Sequence, residues 1–209
     1  MQATVLETDD VAAPMGAVTR LSNLRLILDD AVDGVILDRS LPSFVTSSLA
    51  AMRFEPAMGD RFCLSPNQTA DCMTRLFAEW GFAPTAAQRW IAEDIQSLAM
   101  EFAQTLAIKD VILRVEVIAD DACRKFHRDA IRARLICTYT GPGTEYGVAS
   151  PGEEPATIER VPTGAPVILK GKAWPGAGGL QLKHRSPPIE GLGLSRFVVV
   201  IDEATTSLL

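Results

Sequence analysis

The sequence has few histidines and cysteines and no long hydrophobic run. Two histidines and four cysteines occur in 209 residues. The cysteines (Cys63, Cys72, Cys123 and Cys137) are too few for a disulfide framework, and none form a Cys-x-x-Cys pair. Apolar runs such as FVVVI are too short to cross a membrane, and the acidic start MQATVLETDD lacks the apolar core of a signal peptide. We therefore expect a reduced, cytoplasmic protein.

Positive charge is also scarce. The chain has 20 Lys and Arg against 26 Asp and Glu, a net charge of −6, and no basic stripe. A broad nucleic-acid surface is therefore not expected, and neither nucleic acid nor a membrane is predicted as a partner. The composition, 47% hydrophobic and 22% charged, allows a full core, and the length predicts a single domain over residues 1–209.

The first half of the chain has mainly helical periodicity. We predict a flexible tail over residues 1–20 and a mainly helical segment over residues 21–108. Within this segment LRLIL and GVIL suggest short strands, and LPSFVTSSLAAM suggests a helix. Two firmer helices begin at the capping boxes SPNQ and TAAQ, and the first of them ends at Gly81.

The second half has the periodicity of β-strands. VILRVEVI alternates apolar and polar residues, and ARLICTYT, APVILKG, GLQLKH and SRFVVVI follow it. Connections rich in Gly and Pro, such as GPGTEYG and WPGAGG, separate these runs. The order of helices and then strands predicts an α+β fold with a β core over residues 109–203.

Both histidines lie in this β region. His127 begins the tripeptide His-Arg-Asp, which ends at Asp129, and His184 and Arg196 follow at distances of 57 and 12 residues. Residues i and i+2 of a strand share a face, so one ion can bind His127 and Asp129 from one side. A distal histidine completes the facial triad of non-haem Fe(II) oxygenases, and an arginine can bind a keto-acid carboxylate through its bidentate fork.

Structural explanations of the same residues are also available. A His-x-Asp tripeptide often occurs by chance, and a single strand histidine is usually a core or surface residue. Arg196 could pair with Asp202 or Glu190, although an arginine on an apolar inner face requires some partner. The presence of both histidines in one pattern favours a metal site.

Longer motifs carry a family resemblance. The segment GAPVILKGKAWPG with KHRSPPIEGLGLSRFVVVID resembles the closing strands of the 2-oxoglutarate/Fe(II) dioxygenases. CRKFHRDAIRARLICTYTGPGTEY, together with LKGKAWPG and HRSPP, resembles more closely the bacterial family called domain of unknown function 1826. The resemblance covers about residues 109–203.

The resemblance implies a double-stranded β-helix (jelly roll, cupin-like) with the N-terminal helical segment packed on its outer face. It implies a non-haem Fe(II)/2-oxoglutarate-dependent oxygenase that acts on a small molecule or peptide of unknown identity. By position, His127, Asp129 and His184 would bind Fe(II), and Arg196 would bind the distal carboxylate of 2-oxoglutarate. Tyr139 would assist Arg196.

Cys123 supports an alternative hypothesis. It precedes His127 by four residues, and a set of Cys, His and Asp suits zinc, whereas a thiolate beside a redox-active iron is a liability. The alternative is a cupin-like zinc-binding protein, a sensor or an accessory of a metallochaperone GTPase, without oxygenase activity. In this hypothesis Cys123 is a ligand and Arg196 is dispensable.

Overall fold

The structure is a computed structural model that describes residues 14–56, 58–121 and 123–204. Its helices are α1 (Ser43–Ala51), α2 (Thr69–Glu79) and α3 (Ala86–Leu106). Its strands are β1 (Met15–Val18), β2 (Gly34–Leu37), β3 (Gly59–Leu64), β4 (Val111–Ile118), β5 (Ala133–Thr140), β6 (Glu145–Val148), β7 (Glu159–Arg160), β8 (Pro166–Lys170), β9 (Leu182–Arg185) and β10 (Arg196–Glu203). Within these ranges, no helix has the length and apolar character that a membrane span needs.

The strands form a large and a small sheet. The large sheet has seven strands in the order β1-β2-β8-β5-β10-β4-β3, and the small sheet has three in the order β7-β6-β9. Neighbouring strands are antiparallel except β1 and β2, which are parallel. From β5 onward the chain alternates between the two sheets. β6, β7 and β9 belong to the small sheet, and β5, β8 and β10 belong to the large one.

The large sheet is the middle layer of the molecule. One face packs against the helices and carries apolar strand residues such as Leu113, Val115 and Val199. The opposite face packs against the small sheet through a second apolar cluster that includes Val198 and Leu182. Strands buried on both faces explain why β10 reads as an unbroken hydrophobic run. The result is a mixed fold with a sheet-rich core, as the sequence predicts.

The helices of the first half form as their sequences predict. A capping box at Ser65 opens the 3-10 turn that leads into α2, and Gly81 follows this helix with a φ of 79°. A second capping box at Thr85 opens α3. The predicted stripe of α3 is buried throughout against the large sheet: Ile91, Ile95, Leu98, Phe102 and Leu106.

Two predictions for the N-terminal region were wrong. The run LRLIL lies in a 3-10 helix, Leu21–Leu28, whose buried residues Leu24 and Ile27 are three positions apart, as a helix of three residues per turn requires. The predicted tail was wrong for Met15–Val18, because these residues pair with β2 at the edge of the large sheet. The part of that prediction over residues 1–13 lies outside the described residues.

The boundary predicted at residue 108 does not divide the sheet. The segment over residues 21–108 contributes β2 and β3 to the same sheet as the later strands. β3 has the sequence GDRFCL and is mostly exposed on the outer edge, so its apolar alternation is too weak to be recognised. The segment GPGTEYG, which the sequence predicts to be a connection, likewise contains the first three residues of β6.

Candidate metal centre

The two histidines lie side by side and are joined through their main chains. The N–H of each donates to the carbonyl oxygen of the other at 3.0 Å, which forms an isolated antiparallel bridge. The ring centroids of His127 and His184 are 4.7 Å apart. His184 is buried on β9, whose alternating burial directs Leu182 and His184 inward as the sequence predicts, whereas His127 is half-exposed.

Asp129 completes a compact group with the histidines. One candidate ligand atom from each of His127, Asp129 and His184 lies within 4.8 Å of the other two. His184 Nε2 is 3.2 Å from Asp129 Oδ2, and His127 Nε2 is 3.6 Å from Oδ1. Asp129 Oδ2 is buried and accepts no hydrogen bond from any described residue. An unsatisfied carboxylate oxygen between two imidazoles indicates a position at which a cation can bind.

Arg134 holds the other oxygen of this carboxylate. Its Nη1 donates to Asp129 Oδ1 at 2.6 Å, and its Nε and Nη2 bind both oxygens of Asp202 at 2.7 Å. Arg134 and Asp202 are cross-strand partners on β5 and β10. Sequence spacing alone does not assign Arg134 to the site, because the pairing of β5 with β10 determines its position beside Asp129.

The site holds its carboxylate ionised and its buried imidazole neutral. Burial alone would raise the pKa of Asp129, but the two imidazoles and the Arg134 guanidinium hold it far below its usual range. Burial lowers the pKa of His184 despite the carboxylate beside it. The contact with Asp129 raises the pKa of His127. The arrangement therefore offers an anionic oxygen and one neutral imidazole, with a second imidazole available when it loses its proton.

This donor set fits a divalent transition metal. Two imidazoles and one carboxylate on one side of a site are the ligands of mononuclear non-haem Fe(II), and they also bind zinc. Asp129 Oδ2 is available to a metal because the guanidinium of Arg134 contacts Oδ1 only.

The histidines open onto a cavity of about 880 Å³ between the two sheets. Cys123 lies on its wall, and its side chain is exposed. The thiol does not belong to the group of ligand atoms that lie within 4.8 Å of one another. In this conformation Cys123 is therefore beside the candidate site and outside its donor set.

Arg196 lies on the wall of the same cavity and is almost fully buried, at 1% exposure. It donates to Pro142 O at 2.7 Å and to Ser186 Oγ and Thr138 Oγ1 at 3.1 Å each. All three acceptors are uncharged, and no described carboxylate forms an ion pair with Arg196. Burial accordingly lowers the pKa of Arg196 to about 10. The alternative pairing of Arg196 with Asp202 or Glu190 is not found among the described residues, and Asp202 pairs with Arg134.

The expectation that Tyr139 assists Arg196 was wrong. Tyr139 is buried on the helical face of the large sheet, where its hydroxyl donates to Asp94 Oδ2 of α3 at 2.6 Å. Successive residues of a strand point to opposite faces, so Tyr139 faces away from the cavity and Thr138 faces into it. Thr138 is therefore the β5 residue that contacts Arg196. Because alternate residues of a strand share a face, Arg134, Ile136 and Thr138 of β5 all face the cavity, and this alternation identifies Thr138.

The fold is similar to that of a solved dioxygenase, and two further oxygenase structures match with lower scores. A dioxygenase for auxin oxidation from rice has a TM-score of 0.51 and 12% identity, over 92% of this chain and 83% of that one. An Arabidopsis thaliana dioxygenase for auxin oxidation, solved with 2-oxoglutarate, gives 0.49 and 12% over 92% of each chain. A Burkholderia pseudomallei oxidoreductase of the 2OG-Fe(II) oxygenase family gives 0.46 and 10%, over 88% and 90%. At 12% identity the likeness to the rice dioxygenase establishes the fold alone.

Sequence comparison gives a more specific result. No curated protein matches the chain. A family model described as protein of unknown function (DUF1826) matches residues 19–202, which include β2 through β9, β10 except its last residue, and all four residues His127, Asp129, His184 and Arg196. The chain therefore belongs to the DUF1826 family.

Proposed function

We propose that this protein is a non-haem Fe(II)/2-oxoglutarate-dependent oxygenase whose two sheets form a double-stranded β-helix. The observation that carries the proposal is the position of Arg196, a buried arginine without an anionic partner on the cavity that His127 and His184 also line. A buried cation that contacts only uncharged acceptors is costly unless a ligand supplies the negative charge. The shared fold with a dioxygenase supports the same conclusion.

Each residue of the proposed site has a defined task. His127, Asp129 and His184 would hold Fe(II), and the cavity beside the two histidines has room for the ligands that such a metal binds. Arg196 binds the distal carboxylate of 2-oxoglutarate, because three of its five N–H groups are already used and two remain. Thr138 and Ser186 hold the guanidinium in place.

The bound Fe(II) and 2-oxoglutarate would supply the activation of dioxygen for oxidation of a substrate C–H bond. The chain supplies the surroundings of that reaction. The sheet residues Ile136, Val198 and Val200 form an apolar part of the cavity wall, which limits water around the metal. Arg134 keeps Asp129 Oδ2 directed at the metal by binding Oδ1.

An anaerobic titration tests this proposal. Fe(II) is added to metal-free protein, 2-oxoglutarate is titrated, and the visible charge-transfer band of a chelated keto-acid is recorded. We expect a band in the parent protein and about a tenfold or greater loss of 2-oxoglutarate affinity in Arg196→Ala, because a charge-assisted bidentate contact is removed. Tyr139→Phe is the matched control and should keep the affinity of the parent, since Tyr139 faces α3. Absence of the band in the parent protein would overturn the proposal.

A zinc site without oxygenase activity is the second candidate function. It is favoured by the exposed thiol of Cys123, which lines the same cavity as the two histidines. The two functions separate experimentally. If Cys123→Ser abolishes zinc binding and Arg196→Ala leaves it unchanged, the protein is a zinc-binding protein, and the proposed accessory role beside a metallochaperone GTPase becomes the one to pursue.

A further inference from the structure

Two arginines face each other on the part of the cavity wall that β3 and β4 form. Arg61 and Arg114 are cross-strand partners, and both line the cavity. Like charges placed directly opposite each other in an antiparallel pair destabilise the sheet. An arrangement of this kind on a cavity wall needs an explanation beyond folding.

The hydrogen-bonding capacity of these arginines is unused. Neither guanidinium donates a hydrogen bond to any residue in the described part of the chain, and Arg114 Nε is shielded from solvent without an acceptor. Among the described residues Glu116 forms an ion pair with Arg114, and its Oε1 is 3.3 Å from Arg114 Nε but outside hydrogen-bonding geometry. Asp60 also borders the cavity, but it accepts the main-chain N–H of Arg61 at 2.7 Å. Arg114 therefore lacks an acceptor oxygen.

The distance to the candidate metal centre can be read from the strand register. Arg114 lies opposite Val200 of β10, and Val200 lies opposite Ile136 of β5, the strand whose Arg134 contacts Asp129. Two strand spacings separate β4 from β5, which is about 10 Å. The surface between them is apolar. A ligand that reaches both ends of this surface combines an anionic group with an apolar body.

We propose that Arg61 and Arg114 bind the carboxylate of the substrate, which is a small organic acid whose apolar body lies on Val200 and Ile136. The inference rests on the proposed function, since it places the reacting carbon at the metal. Glu116 beside Arg114 offsets part of the positive charge of the two arginines, and Asp60 and Asp120 also border the cavity, so this wall favours a singly charged carboxylate over a doubly charged phosphate. Arg196 is separate from this group and is assigned to 2-oxoglutarate.

Binding of simple probes tests the inference without metal or 2-oxoglutarate. The probes are 4-phenylbutanoate, its neutral amide and phenyl phosphate, and affinities are measured by calorimetry or ligand-observed NMR. We expect the acid to bind the parent protein about tenfold or more tightly than the amide, and Arg114→Gln to remove most of that preference. Arg61→Gln should weaken binding of the acid as well, and this exposed position tolerates substitution without loss of the fold. Arg89→Gln, an exposed arginine on α3 away from the cavity, is the matched control and should bind like the parent.

Three results would overturn the inference. The first is an affinity of the parent protein for the acid that is no higher than its affinity for the amide, or an affinity for the acid that is the same in both arginine variants as in the parent. The second is stronger binding of phenyl phosphate than of the acid. The third is loss of binding in Arg196→Gln with none in Arg114→Gln, which would place the probe at the proposed 2-oxoglutarate position. Because neither iron nor 2-oxoglutarate is present, these results are independent of the charge-transfer experiment.

Discussion

At the scale of single residues, the candidate site depends on contacts that sequence spacing reveals only in part. His127, Asp129, His184 and Arg196 could be selected because both histidines of the chain fall into one spaced pattern in a β context. Arg134 could not, because its role follows from the register of β5 against β10. Its guanidinium joins Asp202 to Asp129 and orients the second carboxylate.

Arg134→Lys is expected to weaken metal binding about tenfold or more while it keeps the charge of the site unchanged. The reason is that an ammonium group cannot bind Asp202 and Asp129 together in the fixed geometry of a guanidinium, so Asp129 loses its orientation. Calorimetric titration of metal-free protein with Co(II) measures the change. Arg132→Lys is the matched control, since Arg132 forms a similar pair with Glu203 away from the site. Equal affinities of Arg134→Lys and the parent protein would contradict this role.

Metal binding is expected to release a proton from His127 below neutral pH. The pKa of His127 is raised above 6.5, whereas those of His184 and Asp129 are lowered, so at pH 6.5 mainly His127 must lose a proton to become a ligand. Apparent metal affinity should therefore rise with pH through this range and level off once His127 is neutral. Calorimetry in buffers of different ionisation enthalpy should measure release of more than about half a proton per metal at pH 6.5 and less at higher pH. Proton release that does not change with pH would contradict the assignment.

At the scale of elements, α3 is attached to the large sheet by a buried polar group as well as by its apolar stripe. Asp94 of α3 forms an ion pair with Arg39 and accepts a hydrogen bond from the hydroxyl of Tyr139. Burial raises the pKa of Tyr139 well above its usual range, so its hydroxyl remains a donor to Asp94. The capping boxes and the stripe of α3 were predictable because they are local patterns. This polar group was not, because its members are 55 and 45 residues apart.

Tyr139→Phe is expected to lower the free energy of unfolding by about 1.5–3 kcal/mol, because it leaves the buried Asp94 carboxylate with one hydrogen bond fewer. Chemical denaturation followed by circular dichroism measures this change. The same variant should bind 2-oxoglutarate like the parent protein. If Tyr139→Phe weakened 2-oxoglutarate binding without loss of stability, the assignment of this side chain to α3 would be wrong.

At the scale of the whole molecule, the two halves of the sequence form one sheet. β3 pairs with β4, and β2 pairs with β8. The α+β class and most strands of the second half were predictable, since buried strands have strong apolar patterns. In the first half, the strand predicted for GVIL is confirmed as β2, but β1 and β3 were not predictable because they lie on sheet edges.

A fragment of residues 109–209 is therefore expected not to fold by itself. It would lack β2 and β3, and it would expose the apolar face that α2 and α3 cover in the full chain. We expect no cooperative thermal transition and a poorly dispersed NMR spectrum, with the full-length chain as the reference. A cooperative transition of the fragment would show that residues 109–203 form an autonomous core.

The main-chain bridge between His127 and His184 has a consequence for the order of folding and metal binding. Hydrogen bonds that do not involve the imidazoles already fix the spacing of the two residues. The polypeptide can thus complete its tertiary structure before any ion arrives, and acquisition of the ion becomes a separate, later event. Newly synthesised chains would then accumulate as folded, metal-free protein. The amount of metal-loaded protein would depend on the supply of metal and not on the rate of protein synthesis.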